Sequence, residues 1–542
     1  MNKSAHNLPR EDKVVIGVDV GTGSARAGIF DLNGKMLASA KQDITLYREG
    51  AHVVEQSSNE IWFAVCDCIK KSMVLSGKTA QQVAGIGFDA TCSLVVLGQD
   101  KQPISVSQSD DPNRNIIVWM DHRATEQAER INALKHPVLN YVGGKISPEM
   151  ETPKILWLKE NRKQTFDAAW QFFDLADFLT WKSTGSEARS TCTVTCKWTY
   201  LAHEKRWDES YFKQIGLEEL ANENFARIGQ HIVEPGTPCG SGLTIEAATQ
   251  MGLLAGTPVA AGMIDAHAGG IGTVGVNGNA TLNMAYVFGT SSCTMTTTQE
   301  PVFIPGVWGP YFSAMVPGMW LNEGGQSAAG AAIDQLLSLH PAAADAKRLA
   351  KEKDLSLPVF LADLVLSRMK SASQAIELTD GIHIVPEFLG NRAPFADPHA
   401  RATIAGLSMD NSLENLLSFY TAGLCGIGYG LRQIIEAQAN SGAAIKNIVV
   451  SGGAGQHPLV RQLLADTCGV PVISTLASEP VLLGSAILGA VAGGVCENVR
   501  DAMTSFSSID LTYQPNEAYR ERHNLRFTSF EYLQQCARTL KG

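Results

Sequence analysis

No dense run of lysine or arginine occurs in the 542 residues, and the formal net charge is −10. A duplex-binding protein usually carries a basic stripe, so nucleic acid is not expected as a partner. No apolar run reaches the roughly 20 residues needed to span a bilayer, so no membrane association is expected either. The longest run, residues 481–495, contains Gly484, Gly489, Gly493 and Gly494 and predicts a buried helix whose small residues permit close packing. Residues 1–13 are polar and lack the apolar stretch of a secretory signal. The eleven cysteines include no C-x-x-C pair, and the nearest pairs, Cys66/Cys68 and Cys192/Cys196, do not have zinc-ligand spacing. Reduced thiols and a cytoplasmic location are therefore expected.

Several catalytic signatures are missing as well. Gly77-Lys78-Thr79 has the tail of a P-loop, but Ser72 stands where its first glycine belongs. Gly325-Gln326-Ser327-Ala328-Ala329 lacks the second glycine of a nucleophile elbow. Residues 270–275 fit G-x-G-x-x-G, yet no acidic residue lies between Asp265 and Glu300, where a ribose-binding carboxylate would be needed. P-loop and hydrolase chemistry are thus unsupported, and the dinucleotide match is weak.

What is present is ordinary globular material, 45% hydrophobic and 18% charged. At about 100–200 residues per domain, the length suggests two or more domains. Residues 14–19 read as a buried strand, residues 25–30 and 35–40 as two further strands, with Asn33-Gly34 as a hairpin signal. Halfway along the chain the pattern recurs: a strand over 281–288, the turn Gly289-Thr290-Ser291-Ser292, and a strand over 293–297. This predicts a weak internal repeat with one hairpin opening each domain, divided at the polar stretch Val276-Asn277-Gly278-Asn279. A strand at 448–450, the turn Ser451-Gly452-Gly453-Ala454-Gly455, a helix with Leu459, Leu463 and Leu464 on one face, and a strand at 470–474 make an alternating unit, and the fold class is α/β.

Three turns and one carboxylate carry candidate chemistry. In Asp19-Val20-Gly21-Thr22-Gly23-Ser24, glycines expose backbone N–H groups, Thr22 and Ser24 add hydroxyls, and Arg26 could add charge. Such a nest suits phosphate, and Asp19 is placed to hold a Mg²⁺ bound to it; a plain hairpin with a capping Asp is the alternative. Gly289-Thr290-Ser291 offers the same donors, so two turns could clamp a polyphosphate from both sides. Gly452-Gly453-Ala454 would let a flat base approach the backbone, or is simply a tight strand-to-helix turn. Asp265 ends the apolar segment Gly262-Met263-Ile264, a layout for one positioned base or for a helix-capping Asp, while the neighbouring His267 reads as structural.

Together these segments resemble the FGGY carbohydrate kinases of the sugar kinase–heat-shock chaperone–actin superfamily. The resemblance runs from Val14 to Val495 and rests on Gly17-Val18-Asp19-Val20-Gly21-Thr22, Gly262-Met263-Ile264-Asp265-Ala266-His267, Phe288-Gly289-Thr290-Ser291, Glu323-Gly324-Gly325-Gln326-Ser327 and Ser451-Gly452-Gly453-Ala454 in order. It implies two actin-like, ribonuclease H-like domains with an interdomain cleft for ATP and sugar: residues 14–276 on the sugar side, 280–496 on the nucleotide side, and a C-terminal extension, 497–542, of unknown role. It also implies phosphoryl transfer from MgATP to a small polyol or ketose, with Asp265 as general base and, with Asp19, near the metal. By the same resemblance Thr22, Thr290 and Gln326 lie on the nucleotide side and Gly453 and Ala454 lie by the nucleoside.

Gly87-Phe88-Asp89-Ala90-Thr91 is similar to the Gly-x-Asp-x-Thr of ribulokinases, and Thr91-Cys92-Ser93-Leu94-Val95 is similar to the D-ribulokinase branch. This implies D-ribulose as acceptor, phosphorylated at O5, with Asp89, Thr91, Lys197 and Glu323 on the substrate side. Residues 119–123 resemble a substrate-side loop of the family. Xylulose, L-ribulose or another polyol remain alternatives within the family; a chaperone-like ATPase and a catalytically silent sugar-binding regulator are alternatives of other classes. The sequence is compatible with a homodimer and does not fix the oligomeric state.

Overall fold

The computed structural model describes residues 9–540. The continuous apolar character of residues 14–20, broken only by Asp19, has a simple cause: β1 (Val14–Val20) is covered on both faces and buried along its length. It pairs with β2 (Ser24–Asp31), which pairs with β3 (Met36–Asp43), giving the expected antiparallel meander. β4 (Val83–Ala90) and β5 (Met263–Ile264) add in parallel, and the sheet order is β5-β4-β1-β2-β3. The β2–β3 connection differs from a two-residue hairpin. Only Gly34 takes a left-handed φ, +81°, and Asp31 accepts from the backbone N–H of Asn33 and Lys35. A side-chain acceptor thus replaces the second left-handed residue.

The second lobe holds a seven-stranded sheet of β6 (Asn283–Phe288), β7 (Ser292–Thr298), β8 (Trp308–Phe312), β9 (Trp320–Gln326), β10 (Asn447–Ser451), β11 (Val472–Thr475) and β12 (Ile509–Tyr513), in the order β8-β9-β7-β6-β10-β11-β12. The strands β9-β7-β6-β10-β11 repeat the order and directions of β3-β2-β1-β4-β5. The repeat expected from the two Gly-Thr turns is therefore a repeat of whole sheets. A further five-stranded sheet in the first lobe, which includes Leu94–Gly98 and Ala169–Asp174, is not anticipated by any motif.

Three helices position the site: α1 (Thr191–Trp198), α2 (Asp265–Val274) and α3 (Pro480–Ala492). The last two are exchanged between lobes. α2 follows β5 of the first sheet but packs on β6, β7 and β10 of the second; α3 follows β11 of the second but packs on β1, β2 and β4 of the first; and the two pack on each other. α3 covers most of the apolar run at 481–495, and its closeness to the first sheet depends on glycine. A Cβ on Gly87 would lie 2.0 Å from the Ser485 carbonyl oxygen and one on Gly85 2.1 Å from that of Gly489, and where α3 meets α2 one on Gly484 would lie 1.9 Å from the Ala268 carbonyl oxygen. The G-x-G-x-x-G match is packing of the same kind, since a Cβ on Gly272, inside α2, would meet the Pro480 carbonyl oxygen at 2.1 Å.

The residues past 496 carry no motif, yet they supply the edge strand β12 and the helix Arg520–Thr539. Phe527 and Phe530 of that helix join the second-lobe core, and Arg526 donates to the carbonyls of Thr379 and Ile382. Among the described residues no helix is long and apolar enough to cross a membrane.

Candidate active site

Parallel strands deliver their C-terminal ends to one edge of a sheet, which is where open α/β sheets bind ligands. Asp19 of β1 and Asp89 of β4 are register partners there, and Asp265 follows the end of β5 as the first residue of α2. Strand end and helix start thus meet at Asp265, and its Oδ1 accepts from the Ala266 N–H at 2.7 Å. Burial, then the nearby Asp19 charge, raises its carboxyl to about 6, above the ordinary Asp range. A carboxylate tuned towards neutrality is suited to general-base work.

Asp19 accepts from Arg26, which also donates to Glu479 at 2.8 Å, just before α3. The Arg26 charge is therefore engaged with these two carboxylates. Asp89 is fully buried; Ser485 of α3 donates to its Oδ2, and its Oδ1 has no hydrogen-bond partner among the described residues. Burial and the Asp19 charge push Asp89 well above the usual carboxylate range. The sequence reading groups Asp89 with Lys197 and Glu323. The fold also sets it beside Asp19, because β1 and β4 are adjacent and in register.

Around this edge the glycines of the turns have no structural reason of their own. Gly21, Gly23, Gly289 and Gly453 do not have left-handed φ, and a Cβ on any of them would meet no described atom closer than 3.6 Å. What glycine leaves at these points is room for a ligand against the backbone. The Thr22 hydroxyl accepts from the Trp119 indole N–H at 3.0 Å and keeps its own hydrogen to donate. The Trp119 backbone N–H donates to Ser93 Oγ, itself 3.2 Å from Thr91 Oγ1, so the 119–123 loop ties the first turn to the end of β4. Asp121 and Arg123 of that loop form a buried network with Glu55. Thr290 is exposed, its carbonyl accepts from Ala329 and Ala331, and its hydroxyl makes no hydrogen bond among the described residues. The turns Gly21–Ser24 and Gly289–Ser291 occupy equivalent positions in the two repeated sheets.

Beyond the second turn opens a cavity of about 560 Å³, walled by Ile333, Tyr420 and Leu424 and floored by Gly453 and Ala454. Its size and apolar walls suit a small-molecule ligand with a flat ring. Gly452, at φ +88°, is packed against the Phe288 backbone and shapes the turn. Gln326 is engaged elsewhere: its side-chain oxygen accepts from Tyr286 and Ser292, and its amide donates to the Ile427 carbonyl.

On the other side of Asp265 lie Lys197 and Glu323. Lys197, near the end of α1, is 7% exposed, sits 5.1 Å from the Trp308 ring centre, and makes no hydrogen bond among the described residues. Burial opposes its charge, but the Cys92 thiol and the Glu323 carboxylate outweigh it and raise the ammonium pKa well above normal. Glu323 of β9 comes from the second lobe and accepts from His267 at 3.2 Å. Burial alone would raise its carboxyl; hydrogen bonding and charge from His267 outweigh this and hold it at about 2. The structure adds residues that no motif marks. Ser485 is a hydroxyl within the apolar run of α3, a signal available in the sequence. Arg392, on a second-lobe loop, faces the charges of Glu149 and Glu323 and makes no hydrogen bond among the described residues. It has no local signature.

Among the described residues no group of His, Cys, Asp and Glu forms a metal cage by itself. Mg²⁺ normally takes one or two protein carboxylates and fills its remaining positions with water and substrate phosphate. The all-oxygen set at this edge, with the unpartnered Asp89 Oδ1 among it, fits that pattern.

Comparison with known proteins agrees with this geometry. Residues 14–272 match the N-terminal domain and residues 284–493 the C-terminal domain of the FGGY family of carbohydrate kinases. A human FGGY carbohydrate kinase domain-containing protein is 44% identical over 532 residues, covering 96% of each chain. A D-ribulokinase of Saccharomyces cerevisiae is 38% identical over 545 residues, covering 94% of this chain and 76% of that one. Among solved structures, xylulose kinase from Rhodospirillum rubrum superposes with a TM-score of 0.79 at 20% identity over 97% of this chain and 99% of that one, a likeness of fold. The fold is thus that of the two-domain actin-like sugar kinases, and the chain belongs to the FGGY family of carbohydrate kinases.

Proposed function

We propose that this sugar phosphotransferase moves the γ-phosphoryl group of ATP to a ketopentose, D-ribulose before others, giving D-ribulose 5-phosphate. The observation that carries this reading is Asp265, a carboxylate at the end of β5 raised to about 6, with the Asp19 and Lys197 charges near it. Asp265 accepts the proton of the sugar's terminal hydroxyl as that oxygen attacks the γ-phosphorus in line and the bond to the ADP oxygen breaks. Residues 14–276 act as the sugar side and 280–496 as the nucleotide side, with Glu323 the second-lobe contribution to the sugar. The C-terminal segment, through β12 and the helix Arg520–Thr539, supports the second lobe. Gly21, Thr22, Gly23 and Ser24 face the phosphates from one side and Gly289, Thr290 and Ser291 from the other, while Gly452, Gly453 and Ala454 border the nucleoside. Mg²⁺ bound with the nucleotide would be held by Asp19, within reach of Asp265, and would neutralise charge on the phosphate oxygens.

Two measurements test these assignments. Thr290→Val removes one hydroxyl donor and is expected to raise the KM for ATP about 3–10-fold, the worth of one neutral hydrogen bond, with little change for sugar; a change confined to the sugar KM would reverse the two sides of the cleft. The substrate is tested with D-ribulose, L-ribulose, D-xylulose, ribitol and glycerol. The yeast D-ribulokinase relative supports D-ribulose as the best acceptor. A site that hydrogen-bonds each hydroxyl discriminates against an epimer that points one elsewhere, so D-xylulose and glycerol should be poorer. A higher kcat/KM for either would overturn the substrate and leave the kinase.

A further inference from the structure

Beneath the sugar side lies a chain of buried groups. Cys192 of α1 is fully buried, and its Sγ is 3.2 Å from His267 Nδ1. The other ring nitrogen, Nε2, is 3.2 Å from Glu323 Oε2, and His267 is 1% exposed. The same sulfur accepts from the Ile264 N–H at 3.4 Å, one of the amides at the start of α2 that no helical carbonyl can serve. On the far side, Cys293 Sγ donates to Glu323 Oε1 at 3.6 Å. One imidazole and one sulfur therefore join α1, which carries Lys197, to the first turn of α2, which carries Asp265, and to β9 of the opposite lobe, which carries Glu323.

We propose that His267, held by Cys192, is a positioning residue: it fixes the Glu323 carboxylate from the second lobe against the Lys197–Asp265 side, so that the sugar meets a preformed acceptor. The inference rests on the reading of Glu323 as a sugar-binding group. Both ring nitrogens are used, so the imidazole plane is fixed, and with it the oxygen it bonds. A carboxylate so held leaves its remaining acceptor positions aimed at a ligand, and supporting bonds of this kind decide whether a binding group sits within the tolerance that substrate recognition demands. The chain runs from α1 of the first lobe through α2, which packs on the second sheet, to β9, so the sugar side is complete only when both lobes are in register. The same geometry accounts for a histidine two residues from Asp265 that touches neither turn.

The test is a double-mutant cycle in the full-length enzyme, with ATP and the best pentulose of the panel. His267→Phe keeps a ring and removes both bonds; it is expected to raise the sugar KM about tenfold or more while the ATP KM moves less than about twofold. His267→Gln, whose amide can still donate to Glu323, should recover part of the loss. In a Glu323→Gln background, His267→Phe should add little, because the group it positions has been changed. If the two effects multiply, or if His267→Phe moves the KM values for ATP and sugar together, the positioning role is overturned while Glu323 keeps its assignment. If Glu323→Gln alone leaves the sugar KM unchanged, the reading of Glu323 fails, and this inference with it. Should His267→Phe not fold, Cys192→Ala and Cys192→Ser carry the same comparison. Loss of the sulfur should raise the sugar KM, the serine less than the alanine because it keeps an acceptor for Ile264 and His267; equal effects would count against the relay.

Discussion

Asp265→Asn is expected to lower kcat about 10²–10⁴-fold, the usual worth of a positioned general base, with only a modest change in the KM for ATP. The substitution keeps the shape and the acceptor for the Ala266 N–H but removes the group that takes the hydroxyl proton. Its pH dependence separates loss of the base from local disturbance. Burial and the Asp19 charge raise Asp265 to about 6. The reactive form is the deprotonated one, so wild-type kcat/KM should be level above that value and fall as pH drops through it. In Asp265→Asn the residual activity should lose this acid limb. Near-normal turnover in a folded variant, or an unchanged acid limb, would remove Asp265 from the role.

Lys197→Met should lower kcat/KM for the sugar about 10–150-fold, the range for one hydrogen bond to a charged group, and leave the KM for ATP nearly unchanged. Nearly all of the Lys197 side chain is buried, yet its ammonium makes no hydrogen bond among the described residues. Its charge is favoured by acidic neighbours, and a sugar oxygen, carbonyl or hydroxyl, would supply the hydrogen-bond partner the ammonium lacks. Methionine preserves the stem and its packing beside Trp308 while removing the charge. Glu323 retains His267, so the variant does not strand a second charge. Kinetics with each substrate varied in turn decide the matter. A variant that melts earlier but binds sugar normally would give Lys197 a structural role only.

Much of this arrangement is legible in the linear sequence because its causes are local. The Gly-Thr turns stand out since Gly, Thr and Ser cluster between apolar runs, and the β1–β2–β3 meander follows from alternation of apolar runs with Gly and Asn. Asp265 stands out as a carboxylate closing an apolar segment. What the sequence could not rank was whether that carboxylate ends a strand or starts a helix; it does both, because β5 is only two residues long. Asp89 shows the limit in the other direction. Its neighbours in sequence carry the resemblance, while its neighbours in space, Asp19 across a parallel strand pair and Ser485, nearly 400 residues later, are set by the fold alone. Arg392, Glu149 and the Cys192–His267–Glu323 chain were illegible for the same reason: each depends on elements far apart in sequence meeting at one edge.

The sequence by itself determined the family, the repeated α/β plan, the two Gly-Thr turns and the candidate base, since each is written in short segments. The tertiary structure alone decided which charges face one another. By exchanging α2 and α3 between the lobes, through glycine contacts that let helix backbone lie directly on strand, the fold places Ser485 under Asp89 and His267 against Glu323. The electrostatics of the cleft follow from that crossing, because burial and the distance between charges, which set each carboxylate's proton affinity, are properties of packing and not of local sequence.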